Sequence, residues 1–252
     1  MTGATDTASA MGRATRRVAN GCLVLLIVPA CLVAYFWYTV WHAGHVNSER
    51  EEDALASVLQ GAREDGDGTA RALAASRSTG TDALTGLVWQ HTEAPLITYD
   101  SARRAFTATA FRSAVYDEEA LLFVHGGPTQ VQRCLGFVYT RRADRTWTTK
   151  VTVRDDAVCR PSERIRSLTE LARTRITNMY AADLTRTGVR QALGPTFDVR
   201  EVVRKGETAT VDVLVHDDVD PPATVEQCYR FTRSIDPDDS EHSATVVAAT
   251  TC

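Results

Sequence analysis

The sequence predicts an α+β protein. An N-terminal transmembrane helix is followed by an extracytoplasmic region of two divergent repeats, each a helix plus an antiparallel four-strand meander. Three observations carry this reading. Residues 18–41 contain no charged side chain. Beyond them, a helical period gives way twice to short Val-, Phe- and Thr-rich segments separated by turn residues. Four cysteines in that region fall into two similarly spaced pairs.

The membrane segment comes first. Its core runs GCLVLLIVPACLVAYFWYTVW, Gly21 to Trp41. As a helix it rises about 31 Å, the thickness of a hydrocarbon core. Arg13, Arg16 and Arg17 precede it, and the next cation, Arg50, lies well beyond. The positive-inside rule then leaves residues 1–17 as a short cytoplasmic tail and places the C-terminal bulk outside the cell membrane. Tyr35, Phe36, Trp37, Tyr38 and Trp41 cluster at the outer end, where aromatic side chains meet lipid headgroups. A cleaved signal peptide would need a shorter apolar run and a small-residue cleavage site. The lipobox-like Val28-Pro29-Ala30-Cys31 is followed by more apolar chain, and Arg16-Arg17 lacks the rest of a twin-arginine signal. An uncleaved, single-pass signal-anchor is the expectation.

Residues 42–92 form a membrane-proximal helical segment. Asn47 or Ser48 caps its first helix, and Leu55, Val58, Leu59 and Ala62 make an apolar stripe. The run Asp65-Gly66-Asp67-Gly68 is expected to end that helix. A weaker helical stretch over 69–89 is interrupted at Gly80.

Residues 93–160 read as the first β-rich repeat. Its strands are expected at Phe106–Phe111, Ala120–His125, Val131–Thr140 and Thr146–Arg154. Residues 161–252 are the second repeat. Pro161 and Ser162 start a helix reaching Asp183, with Ile165, Leu168, Ala172, Ile176 and Met179 on one face. Strands follow at Phe197–Arg204, Thr208–His216, Val225–Thr232 and Ala244–Ala249.

The two repeats align across Ala120–Thr140 and Val211–Ser234. Val124-His125 meets Val215-His216, Pro128 meets Pro222, Val131 meets Val225, Cys134 meets Cys228 and Phe137 meets Phe231. Upstream, Phe106 falls opposite Phe197. The second cysteine follows 25 residues later in one copy and 24 in the other. This predicts disulfides Cys134–Cys159 and Cys228–Cys252, each closing a loop worth about 3–4 kcal/mol in the chain-entropy model. Outside the membrane such bridges are permitted. A zinc site built from the four thiolates lacks the close paired spacing of such sites. In element order alone the outline is similar to cystatin-like and NTF2-like modules.

Composition narrows the function classes. The chain has 252 residues, 24% charged and 44% hydrophobic, as in ordinary folded proteins. A net charge of −4 argues against nucleic-acid binding. Only Lys150 and Lys205 are lysines among 28 Lys and Arg residues, a bias we assign to codon usage. No nucleophile elbow, P-loop, dinucleotide-binding glycine pattern or HExxH is present.

No cofactor and no resident metal are expected. His42 and His45 form a solvated interfacial pair. Trp89 and Trp147 are core or sheet-face residues that would mark a partner surface if exposed. Two acidic loops, Asp217, Asp218 and Asp220, then Asp236, Asp238, Asp239 and Glu241, are the one candidate cation site, since clustered carboxylates suit Ca²⁺.

A folded exterior without a catalytic constellation points to binding or assembly, as an accessory subunit of an envelope complex or by self-association. A ligand-binding sensor working with a second protein is the alternative. A hydrolase using His216 with Asp217, Asp218 or Asp220 ranks third.

Overall fold

The computed structural model describes residues 7–120, 126–217, 225–236 and 243–252, with side chains from residue 26 onward. It is a mixed α+β structure with two antiparallel four-strand sheets. Helix α1 spans Thr7–Ala75 and α2 Thr81–Thr92. The first sheet is a meander of β1 (Leu96–Asp100), β2 (Ala105–Asp117), β3 (Pro128–Arg141) and β4 (Trp147–Val153). Helices α3 (Asp156–Thr177) and α4 (Arg186–Leu193) lead to the second meander. Its strands are β5 (Phe197–Lys205), β6 (Thr208–Asp217), β7 (Val225–Ser234) and β8 (Thr245–Ala249).

The chain divides into two compact units. The smaller comprises residues 1–54 and 115–130, the larger residues 55–114 and 131–252. In the smaller unit, the end of β2 is clamped to α1. Asn47 donates to the Glu119 carbonyl at 3.3 Å and accepts from the Glu119 amide at 2.7 Å. Arg50 donates to the Asp117 carbonyl at 2.8 Å. Gly126 is required nearby, because a Cβ there would stand 2.1 Å from the Glu118 carbonyl oxygen.

In the larger unit, α1 presents Val58, Ala62, Gly66, Thr69 and Leu73 as a buried stripe. The expected break at Asp65–Gly68 is therefore corrected: the helix continues to Ala75. The reason is close packing. Thr149 of β4 donates to the Gly66 carbonyl at 3.1 Å, and Arg112 of β2 stands 3.5 Å from the Asp65 carboxylate. These contacts outweigh the roughly 1 kcal/mol that a helical glycine costs. A Cβ on Gly66 would lie 2.8 Å from the Thr149 methyl. Gly66→Ala is thus expected to destabilise by about 1 kcal/mol, overpacking exceeding the propensity gain. In a Thr149→Ser background the same change should become neutral or stabilising. A double-mutant cycle in urea reads this directly, and equal effects in both backgrounds would refute it.

The first repeat departs from expectation. Its leading strand is β1, a five-residue segment between Pro95 and the Asp100 turn, too short to stand out by pattern. Strand β2 absorbs Phe106–Phe111 and runs on to Asp117. Ala120 lies outside any strand, and 121–125 fall outside the described residues. By strand rank, Phe106 sits on a second strand and Phe197 on a first, so that upstream alignment does not hold.

Helix α3 starts six residues before Ser162. Asp155 caps it by accepting from the Ala157 amide at 2.8 Å, and Pro161 is tolerated inside. The helix ends at Thr177, not Asp183. Arg233 of β7, almost wholly buried, donates to the carbonyls of Ile176 and Met179 and closes that end. Gly188 lies within α4, where its amide donates to the capping Thr185 hydroxyl at 3.1 Å.

Ile165, Ala172 and Ile176 of α3 are fully buried and join Val211, Val213, Tyr229 and Phe231 in the core. The two sheets meet within this unit. Gln227 accepts from the Ile97 amide at 2.9 Å, and the Tyr229 hydroxyl donates to the Pro95 carbonyl.

Candidate functional site

Three surfaces carry the residues singled out by sequence. The first is the apolar part of α1. Leu26, Leu32, Tyr35, Trp37, Tyr38 and Trp41 are each more than half exposed. This helix is long and apolar enough to cross a membrane. At its far end the rings of Tyr38 and His42 stack with centroids 5.6 Å apart, as do those of Trp41 and His45. His45 also stands 3.3 Å from the Glu49 carboxylate.

The second surface is set by the cysteines. Cys134 is bonded to Cys159 and Cys228 to Cys252, with Cα separations of 5.7 and 5.5 Å. Cys134 and Cys228 both lie on the third strand of their sheets, and each partner lies beyond the fourth strand. Cys31 is exposed on the apolar helix and unbonded.

The third surface surrounds His216 and Asp217 at the end of β6. A groove of about 400 Å³ there is lined by Leu168, Thr196, His216 and Asp217. Asp217 is almost fully buried, and its carboxylate accepts from Arg164 Nε at 2.6 Å. A buried carboxylate needs such a partner, and α3 supplies it. Asp236 is half-buried after β7, and its amide donates to the Ser234 hydroxyl at 3.3 Å. Asp218, Asp220, Asp238, Asp239 and Glu241, with His125 and His242, lie outside the described residues. Among the described residues, no three His, Cys, Asp or Glu side chains form a group able to hold a metal ion.

Sequence reasoning missed a carboxylate with a clear task. Asp82, in the first turn of α2, receives the hydroxyls and amides of both Thr250 and Thr251. It thereby pins the residues just before Cys252. Burial alone would raise its pKa, but the hydrogen bonds from Thr250 and Thr251 outweigh burial and hold the carboxyl below its usual value. The sign follows: the contribution is complete above the unfolded value of 3.8 and is lost as pH falls through the lower folded value. Asp82→Asn is expected to cost about 1–3 kcal/mol at neutral pH. Urea midpoints of wild type and variant should draw together as pH falls below 3.8 and through the lower folded value; a gap independent of pH would contradict this.

No protein-family model matches the chain, and no curated protein matches it. Among solved structures it is similar to an "Ntf2 like protein involved in plasmid conjugation". That likeness has 10% identity over 61% of this chain and 73% of the other. Its TM-score of 0.15 is too low to bear on function.

Proposed function

We propose that this chain is a single-pass, membrane-anchored binding or assembly protein. Its folded part works outside the cytoplasmic membrane as an accessory subunit of an envelope complex. One observation carries the reading. A helix stretch that leaves Leu26–Trp41 without protein cover belongs to the same chain as two disulfides. Exposed apolar residues of that extent are costly in water and favourable in lipid. Disulfides belong to oxidising compartments. The cations Arg13, Arg16 and Arg17 before the apolar run support an inward N-terminus. The matched third-strand cysteines support descent of the two sheets from one duplicated unit.

Site-directed photocrosslinking in intact cells tests the reading, with probes at His45 and at Tyr180, an exposed aromatic residue after α3. The expected result is a reproducible adduct with a defined membrane or envelope protein, or a dimer of this chain. Recovery of the uncrosslinked chain alone, when known complexes are captured in the same cells, would end the assembly reading.

A further inference from the structure

The geometry points to a small-molecule site between α2 and α3, one that takes an organic monocarboxylate with an apolar or aromatic body. This goes beyond membrane anchoring and assembly. The cavity holds about 350 Å³, within the range of small-ligand sites. Tyr229 of β7 and Val246 of β8 line it from the sheet, Trp89 from α2, and Arg166 and Thr169 from α3.

Most polar groups here are already engaged. The Tyr229 hydroxyl donates to Pro95, and the Thr169 hydroxyl donates to the Ile165 carbonyl at 2.8 Å. Arg173 is held by the Glu170 carboxylate at 2.9 and 2.6 Å. Arg166 differs. Its Nε is buried and makes no hydrogen bond. Its Nη2 donates to the Glu93 carbonyl at 3.3 Å, a weak bond. A guanidinium carries five N–H donors, and among the described residues only Nη2 of this one makes a hydrogen bond to protein, with the Glu163 carboxylate 3.5 Å from Nε.

Two features keep it so. Glu93 adopts φ 47°, a left-handed backbone in a residue that is not glycine, with its amide bonded to the Trp89 carbonyl. Such a backbone costs of order 1 kcal/mol and persists where surrounding structure enforces it. Here it turns the chain between α2 and Pro95 and leaves the Glu93 carbonyl on Arg166. The Glu163 carboxylate stands 3.5 Å from Arg166 Nε, but its side chain is 50% exposed and the pair is not hydrogen-bonded. Attraction to Glu163 is screened by water, since both side chains are partly exposed. The remaining charges at the rim are the exposed Glu93 side chain and the Glu170–Arg173 pair, which neutralises itself. A carboxylate on Arg166 with an apolar body against Trp89, Tyr229 and Val246 satisfies both chemistries at once.

The test uses the full chain in lipid nanodiscs, titrated with 3-phenylpropanoate and with its neutral amide, 3-phenylpropanamide. The acid is expected to bind at least about tenfold tighter, as charge-assisted hydrogen bonds allow. It should also shift the Trp89 indole N–H resonance, assigned with Trp89→Phe. Arg166→Gln should erase the preference for the acid, while Glu170→Gln combined with Arg173→Gln, which removes the self-neutralising rim pair, should leave it. Equal binding of acid and amide, an unshifted Trp89 signal, or an unchanged preference in Arg166→Gln each overturns the proposal. The comparison of acid with amide uses the wild-type chain alone, so it decides the matter even if a variant fails to fold.

Discussion

Replacing Cys134 and Cys159 together by alanine is expected to lower unfolding stability by about 3–4 kcal/mol. The bridge closes a loop of 25 residues, which sets the entropy it removes from the unfolded chain. It also joins β3 to α3, whose buried face packs against the second sheet. Both sulfurs are buried, so alanine leaves a small void besides the longer free loop. The same double change at Cys228 and Cys252 opens a loop of 24 residues and should cost a similar amount. Urea midpoints in the oxidised state measure both, and non-reducing peptide mapping checks the pairing. An unchanged midpoint for either pair would show that the bridge contributes nothing. Strongly unequal losses would show that native contacts, not loop length, govern the effect.

Leu26→Arg combined with Leu32→Arg is expected to release the chain from the membrane. Both side chains lie on the apolar, uncovered part of α1. Each arginine near the centre of a spanning helix costs about 2.5–3.5 kcal/mol on insertion scales. Together they remove about 5–7 kcal/mol, enough to reverse a partition that favours lipid. After alkaline extraction the wild type should stay in the pellet and the variant should move to the supernatant. Leu171→Arg, at an exposed site on α3, is the control and should stay with the membrane. Retention of the double variant in the pellet would show that contacts other than this helix hold the chain there.

The legible parts of this molecule share a cause: their signal is local and repeated. The strands of the second sheet fall within two residues of their expected ends, because alternating burial along Thr208–Asp217 and Val225–Ser234 has a period of two. The cysteine pairing was legible because two copies of one spacing restricted three possible pairings to one. The apolar stretch of α1 was legible because an unbroken apolar run is a signal carried by neighbouring residues alone.

The illegible parts depend on partners far away in sequence. Asp65-Gly66-Asp67-Gly68 has the composition of a break, and Arg112 of β2 and Thr149 of β4, 47 and 83 residues on, hold it as helix. The start of α3 was misplaced because Pro161 looked like a first-turn residue. Asp155 and the bridge at Cys159 set the true start. The carboxylate of Asp217 accepts from Arg164, 53 residues earlier, and no local pattern announces that pairing. Asp82 gave no signal at all, since its four donors belong to residues 168 and 169 positions away.

The amino-acid sequence by itself thus determined the α+β class, the apolar helix, the cysteine pairs and the second meander. Hydrophobic period and residue spacing act through neighbours a few positions apart. Tertiary structure alone decided the continuity of α1, the clamp at Asp82, the Arg164–Asp217 pair and the cavity around Arg166. Each of these is a balance of burial against hydrogen bonding, and that balance exists only once distant segments have met.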